Sequence, residues 1–169
     1  MSILMLVLAI AGAETPPDPI APAKVGMCHA PDDAKKTCRS LASYEPVGHG
    51  SYINEATIRI APDPLVTLRT STPVYVANGA ICGTLTDAQI ATAKLFLSGK
   101  EVPDGRAGAI RVEIGGAMAA FIGKEICTSY SPGENGQLIA NAAVSGVAHP
   151  ELQQTVRWVS PADGYKVAP

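Results

Sequence analysis

The chain has 169 residues, with 13 Lys or Arg against 15 Asp or Glu, a formal charge of −2 and a pI near 5.9. Its basic residues are spread thinly, which excludes the footprint of a nucleic-acid or heparin-binding protein. Apolar residues make up 47% but aromatic ones only 5%, so the core is expected to be built from small aliphatic side chains.

Ile3 to Ile10 is an unbroken apolar run followed by Ala11-Gly12-Ala13. That is the layout of a secretory signal peptide with an Ala-x-Ala cleavage site, and the run is well short of the roughly 20 residues a membrane span needs. No Lys or Arg precedes it, so either the leader is atypical or the true start lies upstream. With residues 1–13 assigned as a leader, the mature chain begins at Glu14 in a periplasmic or secreted setting and keeps no stable membrane span. Residues 14–27 then read as a Pro-rich tether, because Pro16, Pro17, Pro19 and Pro22 bar helix and interior strand. Residues 28–169 form a single domain.

The four cysteines, Cys28, Cys38, Cys82 and Cys127, are an even set in an exported chain and read as disulfides. Four cysteines allow three pairings. Cys28 and Cys38 bracket a polar segment that closes into a compact loop, leaving Cys82 with Cys127, and this is the pairing expected here.

Along the domain, Tyr52 to Ile60 alternates toward its end and reads as a strand; Asp63-Pro64 breaks it, and Leu65 to Thr70 alternates again. Val74 to Ala77, Asn78-Gly79 and Ala80 to Cys82 form the strongest local signal, a hairpin with a type I′ turn. Thr86 or Asp87 caps a short helix. From Asp104 to Gly123 the period changes: Ile110, Ile114, Ala117, Met118, Phe121 and Ile122 fall at helical spacing. Two strands joined at Gly115-Gly116 are the alternative. Lys124 to Tyr130, Leu138 to Val144 and Thr155 to Val159 read as strands, with Tyr165 to Val167 as a short edge strand. The fold class expected is therefore α+β: antiparallel β-hairpins in a meander packed on one main helix and stapled by disulfides.

Two stretches echo each other. Ile81-Cys82 leads to Ser98-Gly99 with Pro103 beyond, and Ile126-Cys127 leads to Ser145-Gly146 with Pro150 beyond. If this is one β-unit used twice, Cys82 and Cys127 occupy neighbouring strands.

Candidate chemistry is sparse. His29 beside Cys28 lacks the paired spacing of a metal site, so no metal or other cofactor is expected. His149 precedes Pro150 in a loop. His49 sits in Gly48-His49-Gly50-Ser51-Tyr52, where flanking glycines let a backbone approach a ligand. No motif fixes a nucleophile, and no carboxylate pair or phosphate-cradling loop is present. Trp158, the only tryptophan, reads as core or as a ligand platform. The function expected is a non-catalytic exported binding module for a protein, a glycan or a small ligand, contacted through His49, Tyr52 and Trp158. The alternative is a small periplasmic hydrolase using His49 with Ser51 or a carboxylate.

Overall fold

Side chains that alternate between two faces dominate the chain. The computed structural model describes residues 18–20 and 26–169 and is 52% strand and 18% helical. Residues 1–13, expected to be a leader, and most of residues 14–27, expected to be a tether, lie outside the described residues. In chain order come β1 (Gly26–His29), β2 (Thr37–Cys38), β3 (Ser40–Gly48), β4 (Ser51–Pro62), β5 (Leu65–Ala77) and β6 (Ala80–Thr84). Helix α1 (Asp87–Thr92), β7 (Lys94–Leu97), β8 (Lys100–Glu101) and helix α2 (Asp104–Met118) follow as an insert. The chain ends with β9 (Glu125–Pro132), β10 (Leu138–Val144), β11 (Val147–Ala148), β12 (Gln154–Val159) and β13 (Lys166–Val167).

Eight strands close into an antiparallel barrel in the ring order β1, β3, β4, β5, β6, β9, β10, β12, with β12 pairing back onto β1. This corrects the α+β expectation of hairpins packed on one main helix. A helix can serve as a platform only if it offers a broad apolar stripe. Of the 15 residues of α2, only Ala107 is buried. Ile110 and Ile114 do pack with it, whereas Ala117 is exposed and Phe121 and Ile122 lie beyond the helix end. With so little helical cover, the sheet closes on itself, which also removes its edges.

Local signals inside this barrel follow the expected chemistry. Asn78 (φ 51°) and Gly79 (φ 74°) take the two positive-φ positions between β5 and β6. The segments read separately as Leu65–Thr70 and Val74–Ala77 are one 13-residue strand, β5. Its first part pairs with β7 (Leu68 opposite Leu95) and its last part with β6 (Tyr75 opposite Cys82). The insert thus extends the barrel wall beside lower β5. There α2 packs Ala107, Ile110 and Ile114 onto Leu68 and Leu95, roofing one side of that end of the barrel.

Helix α1 has only six residues and depends on its cap. Thr86 Oγ1 accepts from Gln89 N at 3.3 Å, and Gln89 Oε1 accepts from Thr86 N at 2.8 Å. Thr86→Ala is expected to cost about 1 kcal/mol, read as a lower urea midpoint; an unchanged midpoint contradicts this role for the cap.

Both disulfides form as expected, Cys28–Cys38 and Cys82–Cys127. The first lies in a small core outside the barrel wall with Val159, Leu41 and Tyr165. There β13 pairs in parallel with β2, and Tyr165 donates to Asp33, whose carboxylate also meets Arg157 at 3.2 Å. The second disulfide joins directly opposed residues of β6 and β9. Outward positions of the wall carry Ser43, Glu45, Glu55, Thr57, Arg69, Ser71, Ser129 and Asn141. On the same face stand Leu41, Ile53, Tyr75 and Ile139, so the outer wall mixes charged, polar and apolar side chains.

Candidate functional site: the barrel lumen

Small residues at inward positions leave the barrel hollow. On β3, β4 and β5 the inward side chains include Ser40, Ala42, Ala56, Thr70 and Thr72, in register across the strands. Barrels of eight strands are just wide enough for large side chains to fill them or for one small ligand to enter. Here the inner face bounds a cavity of about 290 Å³ lined from β1, β3, β4, β5, β6, β9 and β12. At Gly83 a Cβ would stand 3.0 Å from Val74 Cγ1 and 3.2 Å from the Pro73 carbonyl oxygen, so a side chain there fits only if these neighbours give way.

One end of the cavity has a floor. Tyr44 on β3 and Tyr130 on β9 come from opposite sides of the ring, and their phenols approach closely enough to perturb one another. Burial pushes Tyr44 up to about 12, with the Tyr130 hydroxyl pulling slightly the other way. Burial, then the neighbouring Tyr44, pushes Tyr130 higher still. Trp158 meets Tyr44 edge-on, with ring centroids 6.0 Å apart, above a core of Met27, Ala140 and Val156. The opposite end opens beside Gln154 and Thr84, which line the cavity and are solvent-exposed.

His29 stands in this lumen. Burial pulls its imidazole down to about 4, with the Gln154 side chain pulling weakly upward, so the ring is neutral at ordinary pH. Its Nδ1 is sealed from water with no hydrogen-bond partner. Buried polar atoms are nearly always paired, so an orphan of this kind calls for a functional account. No Asp, Glu, Lys or Arg lines the cavity.

The three residues expected to contact a ligand are scattered. His49 takes a positive φ of 51° at the tip of the β3–β4 turn, is exposed, and makes no side-chain hydrogen bond among the described residues. The geometry that a His49–Ser51 nucleophile requires, with a base hydrogen-bonded to a hydroxyl, is therefore not assembled in this structure. Tyr52 donates to Asp18 at 2.7 Å, tying the buried Ile20 segment to the barrel. Only Trp158 supports the lumen, and it does so through the floor. Sequence reading singled out His29 only as an unsupported metal ligand and passed over Tyr44, Asn54, Thr72, Thr128 and Tyr130. The signal that marks them is a period of two with polar residues on the same face as Ala42, Ile58 and Val74.

A larger groove of about 670 Å³ runs on the outer wall between β3–β5 and the Ser160–Tyr165 segment. It carries the opposite charges Glu55 and Arg69, is lined mainly by outward-facing residues and borders Gly26, where residues 21–25 join outside the described part. The lumen is the better site, because it is enclosed by seven of the barrel strands and its lining includes the buried imidazole of His29.

The fold and this site define a class: an eight-stranded antiparallel barrel with a hollow lumen free of formally charged side chains. No family model matches the chain, and no curated protein or solved structure matches it either.

Proposed function

We propose that this protein is a periplasmic or secreted binding protein that holds one small molecule in the lumen of its barrel and does no chemistry on it. The observation that carries the reading is the hollow space lined by uncharged side chains together with the buried, neutral imidazole of His29. A cavity of about 290 Å³ lies at the small end of ligand pockets, which span roughly 300–1,000 Å³. Of the partners left open by the sequence, a protein, a glycan or a small ligand, the size of the lumen favours a small ligand. Two disulfides, and no helix among the described residues long and apolar enough to cross a membrane, fit a protein that folds outside the cytoplasm.

The test is a thermal-shift screen of small uncharged phenols, amides and lactones against the oxidised protein. A ligand at a hundred times its Kd stabilises the fold by about 2.7 kcal/mol. Thr72→Phe and Thr128→Phe each fill the lumen from a different strand, and each is expected to abolish the shift while leaving the circular dichroism of the barrel intact. Stabilisation that survives in both folded variants places the ligand elsewhere and contradicts the proposal.

A further inference from the structure

The lining of the lumen is uncharged and mixes aliphatic with hydrogen-bonding side chains, and that chemistry specifies a ligand. In the ring order β1 lies opposite β6, four strands away in either direction. His29 on β1, with Ser40 on the adjoining β3, therefore faces Val74, Ile81 and Ile126 on β5, β6 and β9. Thr72 and Thr128 stand among these branched aliphatic side chains, so the lumen offers apolar surface interleaved with neutral hydrogen-bonding groups.

The orientation of the imidazole sets the sense of the hydrogen bond. Nδ1 is sealed and unpartnered. A buried N–H without an acceptor is costlier than an unused lone pair, which puts the ring proton on Nε2. Nε2 is then the donor nitrogen, and the ring's side-chain hydrogen-bond partner is Gln154, which also lines the cavity, so His29 and Gln154 present a neutral polar pair to the lumen. No lining residue carries a formal charge that would balance a charged group inside, and an uncompensated buried ion is strongly disfavoured.

We propose that the lumen selects an uncharged amphipathic molecule, a compact aromatic or alicyclic body bearing an amide or carbonyl oxygen. The oxygen accepts from the His29–Gln154 pair, and the body rests on Val74, Ile81 and Ile126. This rests on the lumen being the binding site, and the two ideas fail by different results.

Benzamide, benzoate and benzylammonium share one ring and differ in charge, and toluene lacks the polar group. Their dissociation constants are measured by ligand-observed NMR at pH 7 on the oxidised full chain, on His29→Leu and on Thr72→Phe. Benzamide is expected to bind at least about ten-fold more tightly than benzoate or benzylammonium. His29→Leu is expected to weaken benzamide by about ten-fold, the size of one hydrogen bond, while toluene binding stays unchanged and so reports an intact lumen. Thr72→Phe is expected to remove all binding. Equal or tighter binding of either charged probe, or benzamide unaffected by His29→Leu, overturns the ligand class while leaving the lumen as a site. Binding of every probe that persists in Thr72→Phe, or no binding of any probe to the wild-type chain, overturns both.

Discussion

Replacing Cys82 and Cys127 together by Ala is expected to lower the stability of the barrel by about 4 kcal/mol, the largest single effect anticipated here. The reason lies in topology. The two cysteines are 45 residues apart and face each other across β6 and β9. Everything between Thr84 and Glu125 is an excursion from the wall: two helices and the β7–β8 hairpin. Without the covalent link, the pairing of β6 with β9 must close that long loop unaided, and the unfolded chain regains the freedom that the bond removed. The shorter Cys28–Cys38 loop, with a separation of 10, is expected to be worth about 3 kcal/mol. Set against the 5–15 kcal/mol typical of whole domains, these figures imply that the reduced chain is marginal, in keeping with folding outside the cytoplasm. Urea denaturation of the oxidised wild type and the double variant measures the difference; a loss below about 1 kcal/mol contradicts the entropic account.

Acidification is expected to destabilise the protein in a defined window through His29. Its folded-state value lies near 4 against the ordinary 6.5, because burial disfavours the charged ring. Below pH 6.5 the unfolded chain takes up a proton that the folded chain refuses. Stability is therefore complete above that value and falls as the pH drops toward 4, where the folded ring at last protonates. Across this window the loss is about 2–3 kcal/mol. The exposed carboxylates behave differently. Asp33 (held chiefly by the Tyr165 hydroxyl), Asp104 (by Arg111), Glu151 (by His149) and Asp163 (by Ser160) lie below the usual carboxylate range. Their contributions are present at neutral pH and are lost only at stronger acidity. The two regimes separate in one comparison: in His29→Gln the loss between pH 6.5 and 4 is expected to shrink to the residue of the carboxylates. An identical slope in wild type and variant removes His29 from the explanation.

The sequence made some of this legible and hid the rest for physical reasons. Turn chemistry is local, so Asn78-Gly79 and the capping residue Thr86 were recognisable directly. Leu138, Ala140, Ala142 and Val144 alternate cleanly, and they form β10 with these four on its inner face. The disulfide pairing followed from loop size and from the Ile-Cys echo. The echo holds at its ends: Cys82 and Cys127 are opposed, and Ser98-Gly99 and Ser145-Gly146 both form positive-φ turns. It fails as a duplicated unit, because α1 and β7 lie between the first pair and β10 alone between the second.

Closure of the barrel was not legible because it depends on contacts between distant segments. Gly26 pairs with Val159, and nothing near either residue announces the other. β3 was hidden by Pro46, accommodated beside a register irregularity between Pro46 and Gly48. The candidate site was hidden by its own chemistry. Pattern reading relies on apolar residues pointing inward, and a ligand-sized lumen places His29, Asn54, Thr72 and Tyr130 there instead. The contrast between the two faces is weakest at the strands that matter most. Attention went to His49, flanked by glycines, and those glycines serve a turn: Gly48 (φ 110°) and Gly50 (φ 73°) reverse the chain between β3 and β4.

Chemical-shift mapping of benzamide on the isotope-labelled, oxidised protein is the most direct test of the lumen as the binding site. The account predicts saturable shifts confined to inward residues such as His29, Ile58, Thr72, Ile81 and Thr128, with Glu55, Arg69 and Asn141 on the outer wall unmoved. Shifts centred on the Gly48–Ser51 turn or the outer wall, with the lumen residues silent, contradict it.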